Sequence, residues 1–140
     1  MTLPSLHRAL YASLAVYAPL TALIGTRLYP GVAPTSAAFP YVCLHDLHVG
    51  SHYHLEGASA THDTMVQVDC WALAAPESRR LAQVIRLAVE GRPLVLDGLD
   101  VDGIFVEGEM DLPEQAEDGS ERTFFRRVLT LTAWHERDIA

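Results

Sequence analysis

A chain of 140 residues, 49% hydrophobic and 20% charged, has the size and composition of one globular domain with a real core. Its formal charge of -8, with ten Arg and no Lys, argues against wrapping nucleic acid, because neutralising phosphates takes a net basic surface. The same sign suits a channel that DNA slides through without sticking, since like charges repel.

Cys43 and Cys70 both fall in expected strands and do not make a disulfide framework. A reduced, intracellular setting is expected. The first residues lack the basic start and unbroken apolar core of a signal peptide. No run reaches the roughly 20 apolar residues of a membrane span, so no membrane partner is expected.

In chain order, Leu3 to Tyr17 reads as a helix, with Leu6, Leu10, Leu14 and Tyr17 at three- and four-residue spacing. Its other side is only weakly polar, so the helix is either well buried or covered by a partner. Pro19 breaks or restarts the pattern, and Leu20 to Ile24 makes a further turn closed by Gly25. Thr26 to Phe39 is a long loop with a turn at Pro30-Gly31. Tyr41 to Val49 is a strand, and Gly50 to Ala60 an exposed hairpin or flexible arm. Thr64 to Ala72 alternates strictly, Val66, Val68 and Cys70 against Met65, Gln67, Asp69 and Trp71, and reads as a half-buried central strand. Pro76 to Glu90 is an amphipathic helix, with Pro76 in its first turn and Leu81, Val84, Ile85 and Ala88 as its buried stripe.

Pro93 to Leu96 and Val101 to Glu109 are strands around a turn at Asp97-Gly98, and Pro113 to Ser120 is a polar loop. Residues 97 to 121 hold ten acids and no Arg. Arg122 to Trp134 is the last strand, with Val128, Thr130, Thr132 and Trp134 on one face and Arg127, Leu129, Leu131 and Ala133 on the other. The expected fold is α+β: a mostly antiparallel sheet of four to five strands with two main helices packed on one face.

Motifs for chemistry are weak. Five histidines lie between His45 and His62, but no Cys or carboxylate stands at a recognised metal spacing. Asp97 to Gly103 fails as a calcium loop, since Gly98 stands where the first ligand belongs. There is no nucleophile elbow, phosphate-cradling loop or zinc-protease motif. Asp69 and His135 are candidates for an acid/base pair across neighbouring strands. The plainer role for Asp69 is a strand-face carboxylate paired with Arg126 or Arg127. No catalytic residue, metal ligand or cofactor is assigned. The apolar first helix and the projecting loops point instead to a homo-oligomer.

The ordered series Arg27-Leu-Tyr-Pro-Gly-Val-Ala-Pro, Phe39-Pro-Tyr-Val, Val66-Gln-Val-Asp-Cys-Trp-Ala, Leu81-Ala-Gln-Val-Ile-Arg and Phe125-Arg-Arg-Val-Leu-Thr-Leu-Thr-Ala-Trp-His resembles the small tail completion, or tail terminator, proteins of long-tailed bacteriophages and gene transfer agents. The likeness runs over nearly the whole chain, as one domain over residues 1–140. It implies a structural virion protein assembled in the host cytoplasm. It implies a ring, usually a hexamer, at the head-proximal end of the tail tube. Such a ring ends tube polymerisation, meets the tail tube protein and the head-side connector or stopper, and lets DNA pass without sequence-specific binding. It carries no catalytic residues. Interface residues are expected from exposure alone: Tyr29, Pro30, His52, His54, Glu114, Glu117 and Asp118. A strand edge exposed at Tyr41–Val49 or at Arg122–Trp134 is a candidate for pairing between subunits. Alternative readings are a head-side stopper or connector protein, and a metal-binding module built on the histidine cluster.

Overall fold

The structure, a computed structural model, describes residues 6–54, 57–90, 94–96, 99–116 and 122–136. Four long strands form the sheet: β2 (Tyr41–His54), β3 (Gly57–Ala72), β5 (Leu99–Asp111) and β7 (Thr123–Glu136). Short strands β1 (Leu28–Pro30) and β4 (Leu94–Leu96) complete the order β1-β2-β3-β7-β5-β4, and two-residue β6 (Glu114–Gln115) adds to β7. Every neighbouring pair is antiparallel except β1 with β2. The class is α+β, as expected, but six strands stand in line where four to five were expected. The surplus is β1, inside the stretch read as loop, whose three residues are too few to show a period.

The alternating stretch Thr64–Ala72 lies in β3 and sits inside the sheet, between β2 and β7. Period two sends Thr64, Val66, Val68, Cys70 and Ala72 to one face, all buried. Register brings Val42 and Leu44 of β2 and Leu129, Leu131 and Ala133 of β7 to the same face. The helices bank on that face. They are α1 (Leu6–Ala15), α2 (Ala18–Ile24) and α3 (Ala75–Val89). Leu10, Leu14, Leu20, Ile24, Leu81 and Ile85 join the strand residues in one core. Each fully buried Leu or Ile contributes about 1.5–3 kcal/mol of transfer free energy.

α1 and α3 are the two main helices expected, and the further turn expected after Pro19 is the short helix α2, because Pro19 cannot continue α1 and instead opens α2, with Tyr17 as the residue before it. Gly25 ends α2 at φ 59, a conformation that disfavours a side chain. The apolar stripe of α1 is spent in the core: Leu6, Ala9, Leu10 and Leu14 are buried, and Val16 beyond its end is the large apolar residue left in solvent. The surplus apolar surface expected of this helix is therefore small. α3 keeps its expected solvent side, with Arg79, Arg80 and Gln83 exposed, but its buried stripe is rotated slightly: Leu81 and Ile85 are buried as expected, Val84 and Ala88 are half-buried, and Ala82 and Val89 are buried as well. Ser78 is buried in its first turn and donates to the Ala75 carbonyl at 2.9 Å.

Candidate functional site

Among the described residues, no helix covers the second face of the sheet. Cross-strand register sets its rows: Tyr41, Trp71 and Arg126 at one end, then Cys43, Asp69, Val128 and Met110, then His45, Gln67 and Thr130. The chain after β1 turns at Gly31, where φ is 82, and its backbone N–H donates to the Leu44 carbonyl at 2.6 Å. This folds Gly31, Val32 and Ala33 over the end of the sheet. The result is an open cavity of about 410 Å³ lined by these three with Tyr41, Cys43, His45, Asp69, Trp71 and Arg126.

Asp69 anchors the cavity wall. It is buried, and accepts from Arg126 Nη2 at 3.1 Å and from Gln67 Nε2 at 2.8 Å. Arg126 lies over the Trp71 ring at 5.2 Å and also donates to Glu114 at 3.3 Å. Tyr41 is packed edge-on to Tyr29 at 5.9 Å and contacts Phe39 at 5.0 Å, and Phe39 stacks on Phe124 at 5.0 Å. Burial raises the Tyr41 phenol and, first of its causes, pushes the Cys43 thiol up to about 11. Burial also raises Cys70. Both thiols therefore stay protonated at neutral pH, and a protonated thiol is a poor nucleophile and a poor metal ligand. The Asp69 carboxylate is spent on Arg126 and Gln67, which leaves it unsuited to orient His45.

The pairing of Asp69 with Arg126 bears out the plainer of its two expected roles. The acid/base pair with His135 does not form. His135 belongs to the helix-covered face, fully buried, with Nε2 2.7 Å from Thr64 Oγ1, while Asp69 opens on the other face.

The acidic stretch is also more neutralised than it reads. Arg127 pairs with Glu109 and with Asp111 at 2.9 Å, Arg79 pairs with Asp111 at 3.2 Å, and Arg86 reaches Glu109 at 3.7 Å. Bonding to Arg127 holds the Asp111 carboxyl below its usual range, and bonding to Arg86 does the same for Glu90.

Of the residues expected at an interface, Tyr29 and Glu114 converge on the Tyr41 and Arg126 corner, with Pro30 exposed beside them. Tyr29 is half-buried in the aromatic group instead of projecting. His52 and His54 lie in the β2–β3 hairpin near its last pair, His54 with Gly57, on the order of 40 Å from Tyr41 at the ~3.3 Å rise of a strand. Their side chains, with Glu117 and Asp118, lie outside the described residues, as do those of the histidine cluster except His45. Among the described residues no group of His, Cys, Asp or Glu stands ready to hold a metal.

The Arg122–Trp134 edge is not available for pairing between subunits, because β7 is flanked by β3 and β5. Sequence reading missed the cavity, whose lining comes from four separated segments. Gly31 following Pro30 was its one local signal.

A model of the family described as tail completion protein gp17 matches residues 8–136. Among solved structures, a chain of a structure described as the virion of a native gene transfer agent particle is similar to this one. The TM-score is 0.70 and the identity 27%, over 95% of this chain and 96% of that one. No curated protein sequence matches.

Proposed function

The chain belongs to the family of tail completion protein gp17, a structural family, and we propose that it forms a ring capping the head-proximal end of a tail tube and joining the tail to the head. The observation that carries this reading is the end-to-end likeness to a chain of a gene transfer agent virion, at 27% identity. A virion location for this chain follows from the same likeness.

A ring needs a heterologous contact that closes on itself, and six copies is the number the resemblance implies. The net charge of -8 suits a lumen that conducts DNA without holding it. Two ends of the subunit are offered to the tail tube protein and to the head-side connector: the corner with Tyr29, Pro30 and Glu114, and the β2–β3 hairpin with His52 and His54.

Deleting the gene and imaging the particles tests the reading. Tails of uncontrolled length, detached from heads, are expected. Tails of normal length with heads joined would overturn it. Detached tails of normal length would point instead to a stopper on the head side.

A further inference from the structure

The two outer edges of the sheet are covered only in part. β1 covers β2 over Val42–Leu44, and among the described residues no strand flanks positions 45–54 on that side. β4 covers β5 over Leu99–Val101, and Glu90 bridges Ile104. Among the described residues no strand flanks positions 105–111 on that side. The register shows that these stretches are level. His45 aligns through Gln67 and Thr130 with Gly108, and His48 through Met65 and Thr132 with Phe105. Each edge also has a bulge at this level, with Leu47 as the extra residue in β2 and Glu107 in β5. Leu47 is 47% exposed, Phe105 48% and Met110 55%. Three large apolar side chains thus stand in solvent at the two incomplete edges.

We propose that these edges form one interface, in which Leu47 on the β2 edge of one copy packs against Phe105 on the β5 edge of the next. The proposal rests on the ring reading above and names the surface that closes the ring. Three observations select this occupant. First, β2 and β5 run in opposite directions within the sheet. A rotation about an axis along the strands therefore sets the next copy's β2 antiparallel to β5. Second, Asp102 and Glu107 of β5 are exposed and stand outside the arginine pairs that hold Glu109 and Asp111, so two β5 edges facing each other would oppose like charges. The β2 edge, positions 45–54, has Asp46 as its one acid. The contact is thus heterologous, the kind that generates rings. Third, a bulge re-aims a side chain and interrupts the ladder. The contact is accordingly led by side chains, and open-ended strand addition is blunted.

Single-cysteine and double-cysteine variants test this, because the natural thiols Cys43 and Cys70 are buried. Under mild oxidation, L47C/E107C is expected to give a ladder of disulfide-linked oligomers that collapses on reduction. L47C and E107C alone are expected to stay unlinked, and to give a linked dimer only when mixed. In parallel, L47D and F105D are expected to cut the assembled fraction at least tenfold in native mass spectra, with far-ultraviolet circular dichroism unchanged. An assembled wild type with no L47C/E107C ladder, and with L47D and F105D still assembled, overturns the interface and leaves the ring standing. A wild type that stays monomeric even with the tail tube protein overturns both. Strong linkage of E107C to itself overturns the head-to-tail arrangement.

Discussion

Replacing Arg126 by Ala tests how the open face of the sheet is held. The carboxylate of Asp69 is 7% exposed and Arg126 20%. Removing one partner of a buried ion pair costs about 3–5 kcal/mol, because the other charge is left without compensation. Here Arg126 is partly exposed and the cavity is open, so water reaches Asp69 once the guanidinium is gone, and roughly half of that, about 2 kcal/mol, is expected. Gln67 still donates to Asp69 at 2.8 Å, which limits the loss. The contact over Trp71 adds about 0.5–1 kcal/mol. The sum, about 3 kcal/mol, corresponds to a fall in Tm of roughly 9 °C for a domain of this size. Thermal and urea unfolding at one fixed protein concentration reads it, since assembly adds to apparent stability. Replacing both partners with apolar residues, D69V/R126M, is expected to recover more than half of the loss, because no buried charge remains. A change within 0.5 kcal/mol for R126A, or a double variant as unstable as the sum of its singles, refutes the reasoning.

Two further predictions follow from the charges and thiols. The folded pKa of Asp111 is depressed by Arg127, so this pair stabilises above the unfolded carboxylate range, near pH 4, and its contribution is lost as pH falls through the folded value. R127Q is therefore expected to lower the urea midpoint at pH 7, with the difference from wild type shrinking as pH falls below the unfolded carboxylate range, near pH 4; a difference that stays constant on acidification contradicts the assignment. Cys43 and Cys70 are buried with raised pKa values, so a disulfide reagent at pH 7.5 is expected to label neither within minutes in the folded protein and both after unfolding. Fast labelling of one thiol in the native state means that the cavity opens.

The parts of the fold legible in the sequence are those whose burial repeats locally. Thr64–Ala72 shows its period over nine residues, and its alternation assigns the buried face before any partner strand is known. α3 shows its stripe and its Pro76 start for the same reason. The pairing of Asp69 with an arginine was legible from residue type and face. The resemblance over the chain, carried by ordered segments, matches the family found.

Tertiary structure decided what depends on which segments meet. β1 is recognisable only by its pairing with Val42–Leu44, since three residues carry no period. β7 looks from sequence like a free edge, and becomes interior because β5 returns beside it. His135 and Asp69 sit in strands that pair, yet register puts them on opposite faces, and alternation within each strand cannot fix register between strands. The acids of residues 97–121 read as one negative surface, until α3 and β7 bring Arg79, Arg86, Arg126 and Arg127 among them. The cavity, and the level bulges at Leu47 and Glu107, exist only once strands distant in sequence stand side by side. Local pattern sets how each segment buries itself, and long-range pairing sets which surfaces remain for a partner.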